Sequence, residues 1–300
     1  MTLWIPITVA AALFQTLRFM LQRQLSLGTL SAGGATLARF MYSAPLVAVL
    51  IVIYMAQTGQ DWPRFGPEFW MYGASGGLAQ ILATVATVRL FQARNFAVGI
   101  TFKKTEVMQA VLVGWVVLGD SVSVLGFAAI GLGLVGVLLL SAPPELARVR
   151  LRDLANRSVA LGLGAGLLFA ISGVCYRGAS LSLGLEDPMA RAGLTLSAVT
   201  AMQLIAVVIW LRFRDPGQVT AVWAARRVAV WVGLMSMLGS FCWFTAFTLQ
   251  NAAYVNAVGQ VELILSALAS TLVFREAISA REWAGMTVLL GSILMLIAVI

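Results

Sequence analysis

Residues 93–140 read ARNFAVGITFKKTEVMQAVLVGWVVLGDSVSVLGFAAIGLGLVGVLLL, and residues 250–296 read QNAAYVNAVGQVELILSALASTLVFREAISAREWAGMTVLLGSILML. Laid over each other at an offset of 156 residues, their polar positions fall into register without a gap. Asn95 meets Asn251, Ala97 meets Ala253, Glu106 meets Glu262, Asp120 meets Glu276 and Ser123 meets Ser279. Phe91 meets Phe247 and Phe127 meets Trp283. Earlier in the chain the shift is slightly smaller, and Arg39 in LARF pairs with Arg191 in MARA. Apolar helices resemble one another by chance, but chance does not align several polar residues at one offset. The chain therefore reads as an internal duplication: repeat one over 1–142, repeat two over 157–300, and a connection over 143–156.

The composition says what surrounds these repeats. Hydrophobic residues make up 60% of the 300 and charged residues 11%, against roughly 25% charged in an ordinary soluble domain. The mean hydropathy is +0.93. A soluble fold keeps much of its surface in water, so the solvent for most of this chain is lipid. A spanning helix needs about 20 apolar residues. Ten such runs are legible, at roughly 3–22, 32–56, 68–88, 95–118, 122–141, 158–181, 188–211, 228–249, 253–274 and 280–299. The expected fold is an all-α membrane protein, a single membrane domain over residues 1–300. Its ten transmembrane helices form two five-helix repeats (5+5). Five is odd, so the repeats lie inverted in the bilayer, an arrangement typical of secondary transporters.

Charge sets the orientation. One side of the ten-span topology carries Arg23, Arg89, Arg94, Arg148, Arg150, Arg152, Arg157, Arg212, Arg214, Arg226, Arg227, Arg275 and Arg281. The side holding both termini has Arg64, with Arg177 and Arg191 near helix ends. The positive-inside rule makes the first side, with the 143–156 connection, cytoplasmic and both termini periplasmic. The net charge of +8 follows from this arrangement, and nucleic acid is not an expected partner. Trp62, Trp70, Trp223 and Trp231 suit the interfacial belts.

Histidine is absent and the two cysteines, Cys175 and Cys242, stand apart in apolar stretches. No metal site, cofactor or catalytic set is expected from such a residue list. A channel built from a polar ring usually needs several subunits. Two inverted halves in one chain suit a monomeric carrier of a small molecule.

The two quoted stretches also resemble the EamA-type unit of the drug/metabolite transporter superfamily. That unit has a small-residue-rich helix, an acidic residue at its end, a Ser/Thr soon after and a Gly-containing helix. Asp120 and Glu276 fill the acidic position here, and Asp120 departs from the usual glutamate. Many members carry a proline in the middle of the first helix, where this chain has KTEV and QVEL. That pattern is similar to the YddG-type amino-acid exporters. The resemblance implies a bacterial inner-membrane transporter that exports amino acids or related metabolites. Nucleotide sugars, sugar phosphates and lipophilic drugs are alternative cargoes within the same superfamily.

Ionisable groups at bilayer depth cost about 2.5 kcal/mol or more, so each asks for a reason. Glu106 and Glu262 lie about halfway along their spans and are repeat mates. Lys103 stands three residues before Glu106, on the same helix face, and its repeat mate is Gly259, so the central cavity is expected to be asymmetric. A cavity holding Lys103 and Glu262 engages the carboxylate and the ammonium of an amino acid. Glu106 and Glu262 are also candidates for carrying a proton. Lys104 points elsewhere and suits the cytoplasmic interface. Softer candidates for cargo contact are Gln15, Gln80, Tyr72, Trp243 and Phe247. Arg18, near Gln15, binds an anion or snorkels to the cytoplasmic face. Arg39, Arg191, Asp120 and Glu276 mark matched helix ends and read as structural or gating charges.

Overall fold

The computed structural model describes residues 3–26, 30–91, 101–141, 157–274 and 278–300. All regular structure among them is helical: α1 (Trp4–Ser26), α2 (Ala32–Thr58), α3 (Pro67–Phe91), α4 (Glu106–Leu118), α5 (Val124–Ser141), α6 (Arg157–Leu181), α7 (Pro188–Arg214), α8 (Gln218–Ala224), α9 (Arg226–Leu249), α10 (Ala252–Gly259), α11 (Val261–Phe274) and α12 (Ala280–Val299). Seven of them, α1, α2, α5, α6, α7, α9 and α12, are long and apolar enough to cross a membrane. In lipid a helix satisfies its own backbone, which is why apolar runs of this length take that form. α3 has the length, but Gly73, Ser75, Gly76, Gly77 and Gln80 dilute its apolar character. The 143–156 connection lies outside the described residues.

The chain divides into two compact units that do not follow the order of the sequence. Unit 1 comprises Met1–Gly77 and Cys175–Leu249, and unit 2 comprises Leu78–Val174 and Gln250–Ile300. α3 and α6 each contribute one end to each unit.

In unit 1, α1 packs along α9, and α2 packs on both α7 and α9. One apolar cluster joins Leu37, Phe40, Val207, Leu211 and Val232. A second joins Ile51, Met55, Phe69, Leu183 and Leu194. The end of α2 is tied to the start of α7 through Asp187, the N-cap of α7. Its Oδ1 accepts from the Met189 amide at 2.8 Å, as a capping carboxylate does. Its Oδ2 accepts from Tyr54 Oη at 2.7 Å and from Gln60 Nε2 at 2.8 Å. Burial alone would raise the Asp187 carboxyl. The hydrogen bonds from Tyr54, Gln60, Met189 and Ala190 outweigh it and hold the group below the usual carboxylate range.

In unit 2, α5 packs along α12, and α4 packs on α10. The α5–α12 seam is built from small residues. Gly126, Ala129, Gly133 and Gly136 are buried on α5, while Val124 is 86% exposed and Leu125 and Phe127 face outward. Large apolar side chains outside and small ones inside are what helices in lipid require, because close backbone approach replaces the hydrophobic effect. At Gly136 an added Cβ would stand 2.7 Å from the Leu289 amide nitrogen and 3.0 Å from the Gly285 carbonyl.

Two features of the sequence reading need correction. The runs 95–118 and 253–274 are not continuous helices. Within the described residues, the first turns out of helix at Lys104 and Thr105 before α4 begins. The second stops at Gly259, turns at Gln260 and restarts as α11. Secondly, the 212–227 connection is more ordered than a polar loop. It holds the end of α7 and the short helix α8, whose Gln218 accepts from the Ser31 amide at 3.0 Å.

Candidate functional site

Both helix breaks fall in unit 2, at Lys104 and Gln260, which are 156 residues apart in the sequence. Local hydrogen bonding accounts for each. At the first, the amides of Lys104 and Thr105 donate to Thr101 and Phe102 at 3.2 and 3.1 Å, the i→i−3 pattern of a tightened turn. The Thr105 hydroxyl donates to the Phe102 carbonyl at 2.7 Å. It thereby competes with the helix ladder and leaves the start of α4 without a side-chain cap. At the second, Gly259 lowers helix propensity. The Gln260 amide donates to Ala257 at 3.2 Å, and its side chain donates to the Asn256 carbonyl at 3.3 Å. The restarted helices α4 and α11 carry Glu106 and Glu262 in their first turns, where the helix dipole favours an anion.

Four charges gather here. Lys103 Nζ lies 3.7 Å from Glu106 Oε2 and 4.6 Å from the centre of the Phe169 ring on α6, a cation–π distance. Lys104 is repelled by Lys103 and attracted by both Glu262 and Glu106. Two lysines and two glutamates sum to zero. Gly166 lets α6 lie directly on the first break: an added Cβ there would stand 2.7 Å from Gln109 Oε1 and 2.8 Å from the Lys103 carbonyl. Gln109 Nε2 reaches the Leu163 carbonyl at 3.3 Å. Three buried side-chain oxygens in these segments, Glu106 Oε2, Gln109 Oε1 and Gln260 Oε1, have no hydrogen-bond partner among the described residues. All three are acceptors, so the surroundings of the breaks offer lone pairs to a donor-rich group. Lys104 is thus coupled electrostatically to the other three charges.

The remaining candidates lie elsewhere. Gln80 is in unit 2, half-buried on α3, with its backbone carbonyl accepting from the Thr84 hydroxyl at 2.8 Å. Gln15, Tyr72, Trp243 and Phe247 are in unit 1. Gln15 Oε1 accepts from the Trp243 indole at 3.2 Å. Trp243 stacks on Phe247, their ring centroids 5.7 Å apart. Phe247 is buried, and its carbonyl accepts from Arg177 at 2.8 Å. Tyr72 packs against the Ile51–Phe69–Leu194 cluster. Arg39 sits seven residues into α2 and donates to Ser236 Oγ at 2.8 Å and Ser240 Oγ at 3.2 Å, both on α9. Arg191 lies in the first turn of α7, repelled by Arg177 and attracted by Asp187. Asp120 directly follows the C-cap of α4, its amide donating to Gly114 at 3.1 Å, and Glu276 lies outside the described residues. Ser236 and Ser240 were missed in the sequence because serines in an apolar helix look like ordinary packing residues.

Comparison with known proteins adds three findings. Residues 156–298, just under half of the chain, are similar to the EamA-like transporter family. No curated protein matches the sequence. A solved crystal structure aligns over 99% of this chain and 97% of its own, with a TM-score of 0.67 and 14% identity, and at that identity the likeness is one of fold. The match and the seven helices long and apolar enough to cross a membrane together support a multi-pass membrane protein.

Proposed function

We propose that the chain is an alternating-access carrier of amino acids or related zwitterionic metabolites, with its cargo site at the two helix breaks. The observation that carries this is the neutral set Lys103, Lys104, Glu106 and Glu262, placed on interrupted helices at repeat-mate positions. Interrupted helices near the midplane are where secondary transporters bind cargo. A set with equal numbers of ammonium and carboxylate groups can exchange its internal partners for those of a zwitterion without a change in net charge. A sugar phosphate or nucleotide sugar would instead call for a net positive site. The acceptors on Glu106, Gln109 and Gln260 receive the cargo ammonium, and the lysines face its carboxylate. Glu106 and Glu262 are the groups through which a proton gradient is coupled.

The same reading includes ten spans in two inverted five-helix repeats, residence in the bacterial inner membrane with periplasmic termini, and action as a monomer. It is supported by the packing of α2 with α7 and of α5 with α12, pairs that the offset makes mates, as a pseudo-two-fold axis produces. It is supported too by a family match that covers one repeat. Export of amino acids rests on the YddG-like KTEV and QVEL sequences. Gln80 is a further cargo contact in this reading, whereas Tyr72 and Phe247 serve packing and Gln15 and Trp243 hold each other within unit 1. Arg39, Arg191, Asp120 and Glu276 remain the structural or gating charges.

The test is uptake of labelled amino acids into liposomes containing the purified chain, with and without a pH gradient. Saturable uptake of some amino acids supports the proposal, and acceleration by the gradient supports the coupling role. A folded protein that moves none of them refutes the amino-acid assignment and transfers the question to sugar phosphates and drugs.

A further inference from the structure

The corner from the end of α7 through α8 to the start of α9 is a second charged locus, in unit 1 and apart from the break cluster. Residues 212–227 hold four arginines, Arg212, Arg214, Arg226 and Arg227, and one acid, Asp215, a net charge of +3. The charge is carried on packed structure. Val222 of α8 is fully buried in one apolar cluster with Leu211 of α7 and Ala229 of α9. The Gln218 side chain accepts from the Ser31 amide at 3.0 Å, which ties α8 to the start of α2. Each of the four arginines lies one to three residues from Leu211 or Ala229, so all four are gathered around this cluster.

All four are exposed. None makes an ion pair or a side-chain hydrogen bond with another described residue, so no contact among the described residues calls for their charge. Exposed aromatic rings accompany them. Trp210 stands four residues before Arg214 and Trp231 four residues after Arg227. On each helix the ring and the guanidinium therefore share a face, one turn apart, with the tryptophan nearer the middle of the span. Phe213 is 80% exposed, and Trp223 on α8 is exposed as well. Tryptophan favours the boundary between acyl chains and headgroups. Arginines about 5 Å farther out, one helical turn, stand at the level of the lipid phosphates. A guanidinium matches a phosphate through two parallel N–H bonds. Membrane orientation requires only an excess of basic residues on one side. It does not require that they surround one anchored helix with rings a turn beneath them.

We propose that this α7–α8–α9 corner is a docking surface for anionic phospholipids, with Arg212, Arg214, Arg226 and Arg227 binding the headgroup phosphates and the exposed rings of Trp210 and Trp231 packing against the acyl chains. Charge complementarity selects the occupant: a surface of net charge +3 attracts a lipid of net negative charge over a zwitterionic one. The inference stands on unit 1 alone and does not depend on the transport reading of the break cluster.

The experiment measures the melting temperature of the purified full chain in neutral detergent during titration with phosphatidylglycerol, against phosphatidylcholine of the same acyl chains and against inorganic phosphate. Phosphatidylglycerol is expected to raise the melting temperature saturably, and the other two not to do so. One basic residue near an anionic surface strengthens attraction about fivefold, so Arg226→Gln/Arg227→Gln should lower the apparent affinity for phosphatidylglycerol about 25-fold. Arg212→Gln/Arg214→Gln should do the same from a different helix, and it decides the matter if the first variant fails to fold. Arg157→Gln/Arg281→Gln removes as much charge from exposed positions in unit 2 and should leave the affinity within twofold. No saturable response to phosphatidylglycerol, an equal response to phosphatidylcholine, or an equal loss in the unit 2 variant overturns the inference. Saturation by inorganic phosphate alone overturns the lipid as its occupant.

Discussion

Replacing Glu262 with glutamine is expected to lower the rate of cargo uptake at least tenfold while leaving the folded protein intact. Glu262 lies in the first turn of α11 and is one of two carboxylates that attract Lys104. The substitution keeps the shape of the side chain and removes its charge. A hydrogen bond to a charged group contributes about 1.5–3 kcal/mol, and each ~1.4 kcal/mol added to the transport barrier slows it about tenfold, so one lost charge contact corresponds to about 10–100-fold. Lys104→Gln should do comparable harm, because Lys104 senses both glutamates. The double variant should lose less than the product of the two, since residues in one network are not additive. If Glu262 also carries the coupling proton, Glu262→Gln abolishes the acceleration by a pH gradient, whereas Glu106→Gln leaves part of it. Rates within twofold of the unaltered protein in both single variants would exclude the break cluster as the cargo site.

The second large effect is structural. Gly136→Leu should prevent the chain from accumulating as a folded protein, or lower its stability by about 3 kcal/mol or more. Overpacking a well-filled interior typically costs about 1–3 kcal/mol, and here the obstacle is backbone. The first carbon of the new side chain would meet the amide nitrogen and Cα of Leu289 at 2.7 and 2.9 Å. Neither can swing aside as a flexible side chain can, so α5 and α12 must separate. Gly131 is the control: it lies on the same helix, and an added Cβ there meets nothing within 4 Å. Gly131→Leu should therefore be tolerated. The comparison is made by detergent solubility and melting temperature, and equal behaviour of the two variants would contradict the close packing of this seam.

How much of this was legible before the structure depends on the kind of signal. The membrane character was legible because it is summed over the whole chain and no single residue decides it. The common 156-residue offset drew attention to Glu106 and Glu262, and each stands in the first turn of its helix. The breaks at Lys104 and Gln260 were not, because hydropathy stays high through both runs and neither contains proline. A signal was present in the mates themselves: Lys103-Lys104-Thr105 and Gly259-Gln260 put polar or helix-weakening residues at equivalent mid-span positions. The company Arg39 keeps was out of reach, since Ser236 and Ser240 lie about 200 positions away in the chain and their pairing depends on how α2 meets α9. The division into units was equally hidden. It cuts through α3 and α6 at Gly77 and Val174, within unbroken helices that carry no local mark of a boundary.

The most direct test of the central claim asks whether the first break lies on the path of the cargo. In a chain with Cys175 and Cys242 replaced by alanine, Thr105→Cys provides a single thiol at the break, and a membrane-impermeant thiol reagent is added to one side of the membrane or the other. The account predicts labelling from both sides, slowed by a transported amino acid at saturating concentration. A transport-competent protein whose thiol is reached from neither side, or whose labelling is indifferent to cargo, would contradict it.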